Sequence, residues 1–393
     1  MNDHIPSADP RWQLLADHIA DRLEVDGDAR VSIFVNDASA LPAADALIRA
    51  SIRRGATVQT VYQPELADTA ELQFSTPERI AEPAPIEQAA MKWSNVHVSF
   101  RSMVWPTTDS NDLPTDLPAR LAAQRKAKGV ISGLRWQGTR WAVVRIPTAE
   151  WAVEIGADPA TLTDEFFAGA LDDWEAAKKR WQPLTEALDH ASTVTITASD
   201  TDLRLGVAGR RAALFAGEAN LPDGEVATAP VDDQVEGHIT FTGVTIFAGA
   251  VFENLYLRFH RGHVVEIRAD QGADLATALI DTDDGSHRVG ELGIGLSSTV
   301  QAWTGDLFID EKILGTVHIA LGRAYPQCGG VNTSTLHWDI VKDLRVDAPG
   351  GPGTLRIDGR PMIEDGHVVW PGLLDSLPSS LHSSPEPDSE HTT

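Results

Sequence analysis

The spacing of apolar residues changes once along this chain, near residue 190, and that change limits the fold more than any single motif does. Ahead of it, helical and strand patterns alternate. "RWQLLADHIADRL" sets Trp12, Leu15, Ile19 and Leu23 on one helical face, and "RVSIFV" reads as a buried strand. "PAADALIRASIRRG" is a helix closed by Gly55 and "ATVQTVY" a second strand, which together make a β-α-β unit. The alternation continues through "LPARLAAQRKAKGV" and "RWAVVRIP", and "TDEFFAGALDDWEAAKKRWQPLTEALDHA" reads as one long amphipathic helix opened by a Thr-Asp cap. Past residue 190 come short strands separated by Gly and Asp turns, among them "STVTITAS", "TDLRLGV" and "GHITFTG". "FENLYLRFHRGHVVEIRAD" has the pattern of a hairpin turning at Arg261-Gly262. The expected organisation is an α/β N-terminal domain over residues 1–190, a β-rich α+β C-terminal domain over 191–375, and a disordered Ser/Pro-rich tail over 376–393.

Several functions are excluded at this level. The turn after the first strand, "NDASALPAAD", lacks a Gly-rich phosphate fingerprint, so no dinucleotide site follows from it. A formal charge of −25 argues against nucleic acid or an anionic membrane as partner. No apolar run is long enough for a transmembrane helix, and the N-terminus has no apolar core of a signal peptide, so a cytoplasmic protein is expected. The acidic excess, with Arg outnumbering Lys, suits a chain that stays soluble in high salt, and equally an ordinary acidic protein. Cys328 is the single cysteine, which excludes an internal disulfide and a thiolate metal cluster. Any metal site must then be built from His, Asp, Glu and Tyr.

Four segments of the second half carry such residues. "NLPDGEVATAP" holds Glu225 after a turn, where a solvated loop residue is the plainer reading. "HRVGELGIGL" holds Glu291 among Val289, Leu292 and Ile294, where an unpaired carboxylate is costly to bury. "GTVHIALGRAYP" holds His318, otherwise a core histidine, and Tyr325, otherwise a packing residue. "LHWD" sets His337 and Asp339 two apart on a strand, hence on one face, as a hydrogen-bonded couple or as two ligands of one ion. Together these are three carboxylates, two imidazoles and a phenol, an inventory able to hold two divalent ions. His260, His263 and His287 flank turns and read as surface, as do Asp202 and Arg204. Cys328 has no feature of a nucleophile. The run Asp281-Thr282-Asp283-Asp284-Gly285 opens like a calcium loop but has Leu292 at the twelfth position, so it is rejected.

"PTAEWA", "TDLRLGV", "NLPDGEVATAP", "GELGIGL", "VHIALGRAYP", "GGVNTS" and "LHWD", in this order, resemble the M29 family of metallo-aminopeptidases over most of residues 10–373. The resemblance implies a homodimer with a C-terminal metal-binding domain, two divalent ions (zinc, cobalt or manganese) and a small peptide substrate. It implies Glu225, Glu291, His318, Tyr325, His337 and Asp339 as metal ligands, with Glu225, Glu291 and Tyr325 also taking part in catalysis. The stretch between Tyr325 and His337 is shorter than in longer members of the family. The same superfamily includes pyridine-ring-cleaving dioxygenases with one non-haem iron held by two His and one Asp. An iron triad of His318, His337 and Asp339 is therefore the first rival reading, and a non-catalytic metal-binding protein the second.

Overall fold

The computed structural model describes residues 9–105 and 114–373, so the tail expected over 376–393 lies outside the described residues. The first sheet is wholly parallel. Its strands β1 (Arg30–Val35), β2 (Thr57–Tyr62), β3 (Val96–Ser102) and β4 (Arg140–Ile146) run in the order β2-β1-β3-β4. β1 is buried at nearly every position, as a parallel strand covered on both faces must be. Its one buried polar residue, Ser32, is satisfied by Ser94 Oγ at 3.0 Å and His97 Nδ1 at 2.9 Å. β3 and the short helices at 65–74 and 85–93 went unread in the sequence.

The long helix expected after residue 160 is two helices, Pro159–Ala170 and Trp174–Asp189. Asp173 stands at the break, and Asp158 at the start of the first helix. Asp158 accepts from the backbone N–H of Thr161, and Asp173 accepts from that of Ala176, so each starts its own helix.

The remaining strands are β5 (Thr193–Ala198), β6 (Thr201–Gly206), β7 (Ala212–Phe215), β8 (Asn220–Leu221), β9 (Glu225–Thr228), β10 (Val235–Phe247), β11 (Ala250–His260), β12 (His263–Arg268), β13 (Val289–Gly295), β14 (Thr316–Gly322), β15 (His337–Asp343), β16 (Thr354–Ile357), β17 (Arg360–Glu364) and β18 (His367–Val368). β8 pairs with β4 and so returns to the first sheet. β11 and β12 form the expected hairpin, with Arg261 at φ 48° and Gly262 at φ 78°, the positive pair of a type I′ turn. Two antiparallel sheets result, β12-β11-β10-β6-β5-β16-β17-β18 and β15-β14-β13-β9-β7. In β6, Leu203 and Leu205 are buried while Asp202 and Arg204 face solvent.

The two antiparallel sheets pack through aromatic rings. Trp338 of β15 stacks on Phe247 of β10 at 5.3 Å and meets Phe252 of β11 at 4.9 Å. Each such ring contributes about 1.5–3 kcal/mol by leaving water. Beneath them, buried Lys342 donates to Asp200 Oδ1 and the Thr240 carbonyl, both at 2.8 Å. The five-stranded sheet thus has one face committed to the core. Among the described residues, no helix is long and apolar enough to cross a membrane.

Candidate metal centre

Period-two alternation sends Val226, Leu292, Ile294, Ile319, Trp338 and Ile340 toward the core, and the intervening residues to the other face. On that face β9 supplies Glu225, β13 Glu291, β14 His318, and β15 His337 and Asp339. Registry brings them together: Glu225 is opposite Gly295, His318 opposite Gly293, Asp339 opposite Ala320, and His337 opposite Gly322. The partner positions are thus filled by Gly and Ala. Gly293 is required there, because a Cβ would stand 1.9 Å from His318 Cε1. The pairing of β13 with β14 is irregular between Val289 and Glu291, next to this donor.

The donor atoms gather into three groups: Glu225, Glu291 and His318; Glu291, His337 and Asp339; and Glu311, His318 and Asp339. Glu291 belongs to two of them. It lies between two imidazoles, with Oε1 3.4 Å from His318 Nε2 and Oε2 3.4 Å from His337 Nε2. His337 Nδ1 is 2.8 Å from the Arg323 carbonyl, which fixes its proton there and leaves Nε2 free to face Glu291 and Asp339. Tyr325, just past β14, places its ring 5.7 Å from that of His337 and stacks it on Trp136 at 5.0 Å.

Reading the sequence missed three members of the site. Glu311 and Lys312 are buried just before β14, and Asp223 is buried just before β9. Lys312 Nζ lies 2.6 Å from Glu225 Oε1, 2.9 Å from Glu311 Oε1 and 3.8 Å from Asp223 Oδ1. In the sequence this is "IDEKIL", which reads as a solvated charged turn; its enclosure by apolar residues was the available signal.

The electrostatics are those of a cluster short of positive charge. Burial pushes Asp223 up to about 7 and Glu311 up to about 8, Lys312 only partly offsetting it. Burial opposes protonation of His318 and His337. The surrounding carboxylates outweigh it, holding His318 at about 10 and His337 at about 9. Burial likewise raises Glu291, and the two imidazoles overcome that and hold it at about 2. Burial, followed by repulsion from Glu291 and Glu225, keeps the Tyr325 phenol far above its ordinary range. Buried Glu225 Oε2, Glu291 Oε2, Glu311 Oε2, Asp339 Oδ1 and His318 Nδ1 have no hydrogen-bond partner. Buried oxygens so arranged need a cation, and carboxylate-imidazole donors without sulfur suit divalent zinc, cobalt or manganese.

Elsewhere the candidates are structural. His260 is exposed beside Glu236, and His287 lies 3.1 Å from Asp281 Oδ1. Cys328 is buried, and burial pushes its thiol up to about 12. Asp283, in the rejected calcium loop, spends one oxygen on Gly285 and Ser286 and the other on Thr335, tying that loop to the approach to β15.

Known proteins are similar to this chain in sequence and in fold. Residues 18–367 match the model of the thermophilic metalloprotease (M29) family. Aminopeptidase AmpS of Bacillus subtilis is 27% identical over 278 residues, 58% of this chain and 67% of the relative. Aminopeptidase T of Thermus thermophilus is 29% identical over 236 residues, 53% of this chain and 58% of the relative. The solved structure of wild-type AmpT from Thermus thermophilus superposes with a TM-score of 0.71 at 22% identity, covering 92% of this chain and 99% of that one. A dioxygenase acting on 2,5-dihydroxypyridine, from Pseudomonas putida KT2440, has the same fold more distantly, with a TM-score of 0.55 at 16% identity over 92% of this chain and 98% of that one.

Proposed function

We propose that this chain, which belongs to the thermophilic metalloprotease (M29) family, is a metal-dependent aminopeptidase that removes N-terminal residues from peptides at a two-ion centre. The observation that carries this reading is Glu291, one carboxylate shared by two donor groups on one sheet face. Glu225, Glu291 and His318 would hold one ion, and Glu291, His337 and Asp339 the other, with Tyr325 alongside. Such ions, when bound, supply Lewis acidity toward the scissile carbonyl and a water of near-neutral pKa.

The protein's own groups do the rest. Arg323 orients His337 through its carbonyl, and Lys312 orients Glu225 and Glu311 through its ammonium. Glu225 or Glu291 carries the proton to the leaving amine, each keeping one buried oxygen, Oε2, without a hydrogen-bond partner. Glu311, buried beside them, likewise keeps its Oε2 without a hydrogen-bond partner and is a third group able to take that role. Tyr325, kept as a neutral phenol, donates toward the developing oxyanion. The reading includes a division near residue 190, with every donor in residues 191–375.

The iron-triad reading needs His318 and His337 in one group, and the donor groups separate them. Hydrolysis of an aminoacyl nitroanilide, lost on chelation and restored by zinc, cobalt or manganese, is the expected result. Oxygen uptake with a dihydroxypyridine and iron, without peptide hydrolysis, would overturn it.

A further inference from the structure

A second set of side chains meets at the outer flank of His337. The helix Leu117–Gly138 presents Arg125, Lys128, Gly129 and Ser132 at the i, i+3, i+4, i+7 spacing of one face. With Arg323, Thr335, Leu336 and His337 they line a cavity of about 50 Å³. Gly129 allows the helix this close, since a Cβ there would stand 2.4 Å from the Thr335 carbonyl oxygen. The cavity and the donor cluster thus share one residue, His337.

In a chain of net charge −25, the cavity is basic. Lys128 is paired with Asp68. Arg323 instead reaches Ser132 Oγ at 3.3 Å and lies over Trp136 at 5.2 Å. Arg135, one turn along the helix, reaches the same hydroxyl at 3.4 Å and lies over Trp141 at 4.5 Å, with its Nε buried and unpartnered. Neither has a carboxylate at ion-pairing distance among the described residues. Burial, then repulsion from Arg101 and Arg323, pulls Arg135 down to about 9. Guanidinium groups left in this state are stabilised by an anion, and their planar fork matches a carboxylate.

We propose that this cavity receives the C-terminal carboxylate of a dipeptide or tripeptide, making the enzyme selective for short peptides with a free C-terminus. The inference rests on the aminopeptidase reading and adds a substrate class to it. Length favours the terminal carboxylate. The donor cluster and the cavity share His337, and each residue spans about 3.3–3.6 Å, so a short peptide with its first residue at the cluster is the substrate the cavity suits. The other source of the same chemistry is an acidic side chain at the second position.

The test compares leucylglycine, leucylglycinamide and a leucyl-aspartyl amide on the metal-loaded wild-type enzyme. The expected result is a KM for leucylglycine at least about tenfold below that of its amide, as charge-assisted hydrogen bonds require. Arg323→Gln then shrinks that difference to within about threefold, while Arg323→Lys keeps part of it. Thermal melting shows whether each variant folds, and the wild-type comparison needs no variant. Equal KM values for acid and amide overturn this inference and leave the aminopeptidase reading standing. A low KM for the aspartyl amide alone moves the contact to a side chain and overturns the terminal assignment. Absence of turnover on all three overturns both.

Discussion

The two faces of the sheet β15-β14-β13-β9-β7 follow from the same strands and have opposite chemistry. One is Val226, Leu292, Ile294, Ile319, Trp338 and Ile340, packed against a second sheet. The other is Glu225, Glu291, His318, His337 and Asp339, rising over Gly and Ala. The first face stabilises the fold by leaving water. The second concentrates buried carboxylates whose charge Lys312 and the two imidazoles offset only in part. The comparison teaches that the site is rigid because its back is core: each donor is one residue away from a side chain that cannot move.

Changes on the packed face should be read in stability and changes on the donor face in turnover. Trp338→Ala removes a fully buried ring and is expected to cost about 3–5 kcal/mol, measured by denaturant unfolding. Because its neighbours in sequence are His337 and Asp339, metal content should fall with it, and retention of full stability would break the comparison. Glu291→Gln should lower turnover by at least about 10³-fold, about 4 kcal/mol of transition-state stabilisation. A loss of stability with turnover intact would instead indicate a structural carboxylate. Gly293→Ala pushes a methyl into the His318 ring and should cost about 10²-fold in turnover by displacing one donor.

The smallest expected effect concerns Asp283, which braces the margin of the donor face. Burial raises its pKa, but hydrogen bonds from Ser334, Thr335 and Ser286 prevail and hold it at about 2. A carboxyl depressed from 3.8 stabilises the fold above its unfolded pKa and loses that contribution as pH falls from about 4 to about 2. Asp283→Asn should therefore cost about 1–2 kcal/mol at neutral pH, allowing for partial exposure, and the gap should close toward pH 2. A gap unchanged across that range would remove the carboxylate from the explanation.

Of the site's strands, that of His337 and Asp339 was legible, because alternation is a local property, whereas Glu225, which begins a buried strand, read as a loop residue. The β-α-β start and the hairpin at Arg261-Gly262 were legible for the same reason. Glu311, Lys312 and Asp223 were not, since a charged run in a short turn has the same pattern whether solvated or enclosed. The paired helices at 159–189 were misread as one because Asp173 fits a helix surface as well as a cap. The basic face of Leu117–Gly138 was visible as a helix, but only its docking against Arg323 and Thr335 gives those charges a role.

The most direct test is metal content per chain, by elemental analysis of protein purified without chelator or added metal. About two divalent ions per chain, zinc, cobalt or manganese, are expected, falling to one or fewer in Glu291→Gln. About one iron per chain, unaffected by Glu225→Gln, would contradict the two-ion centre.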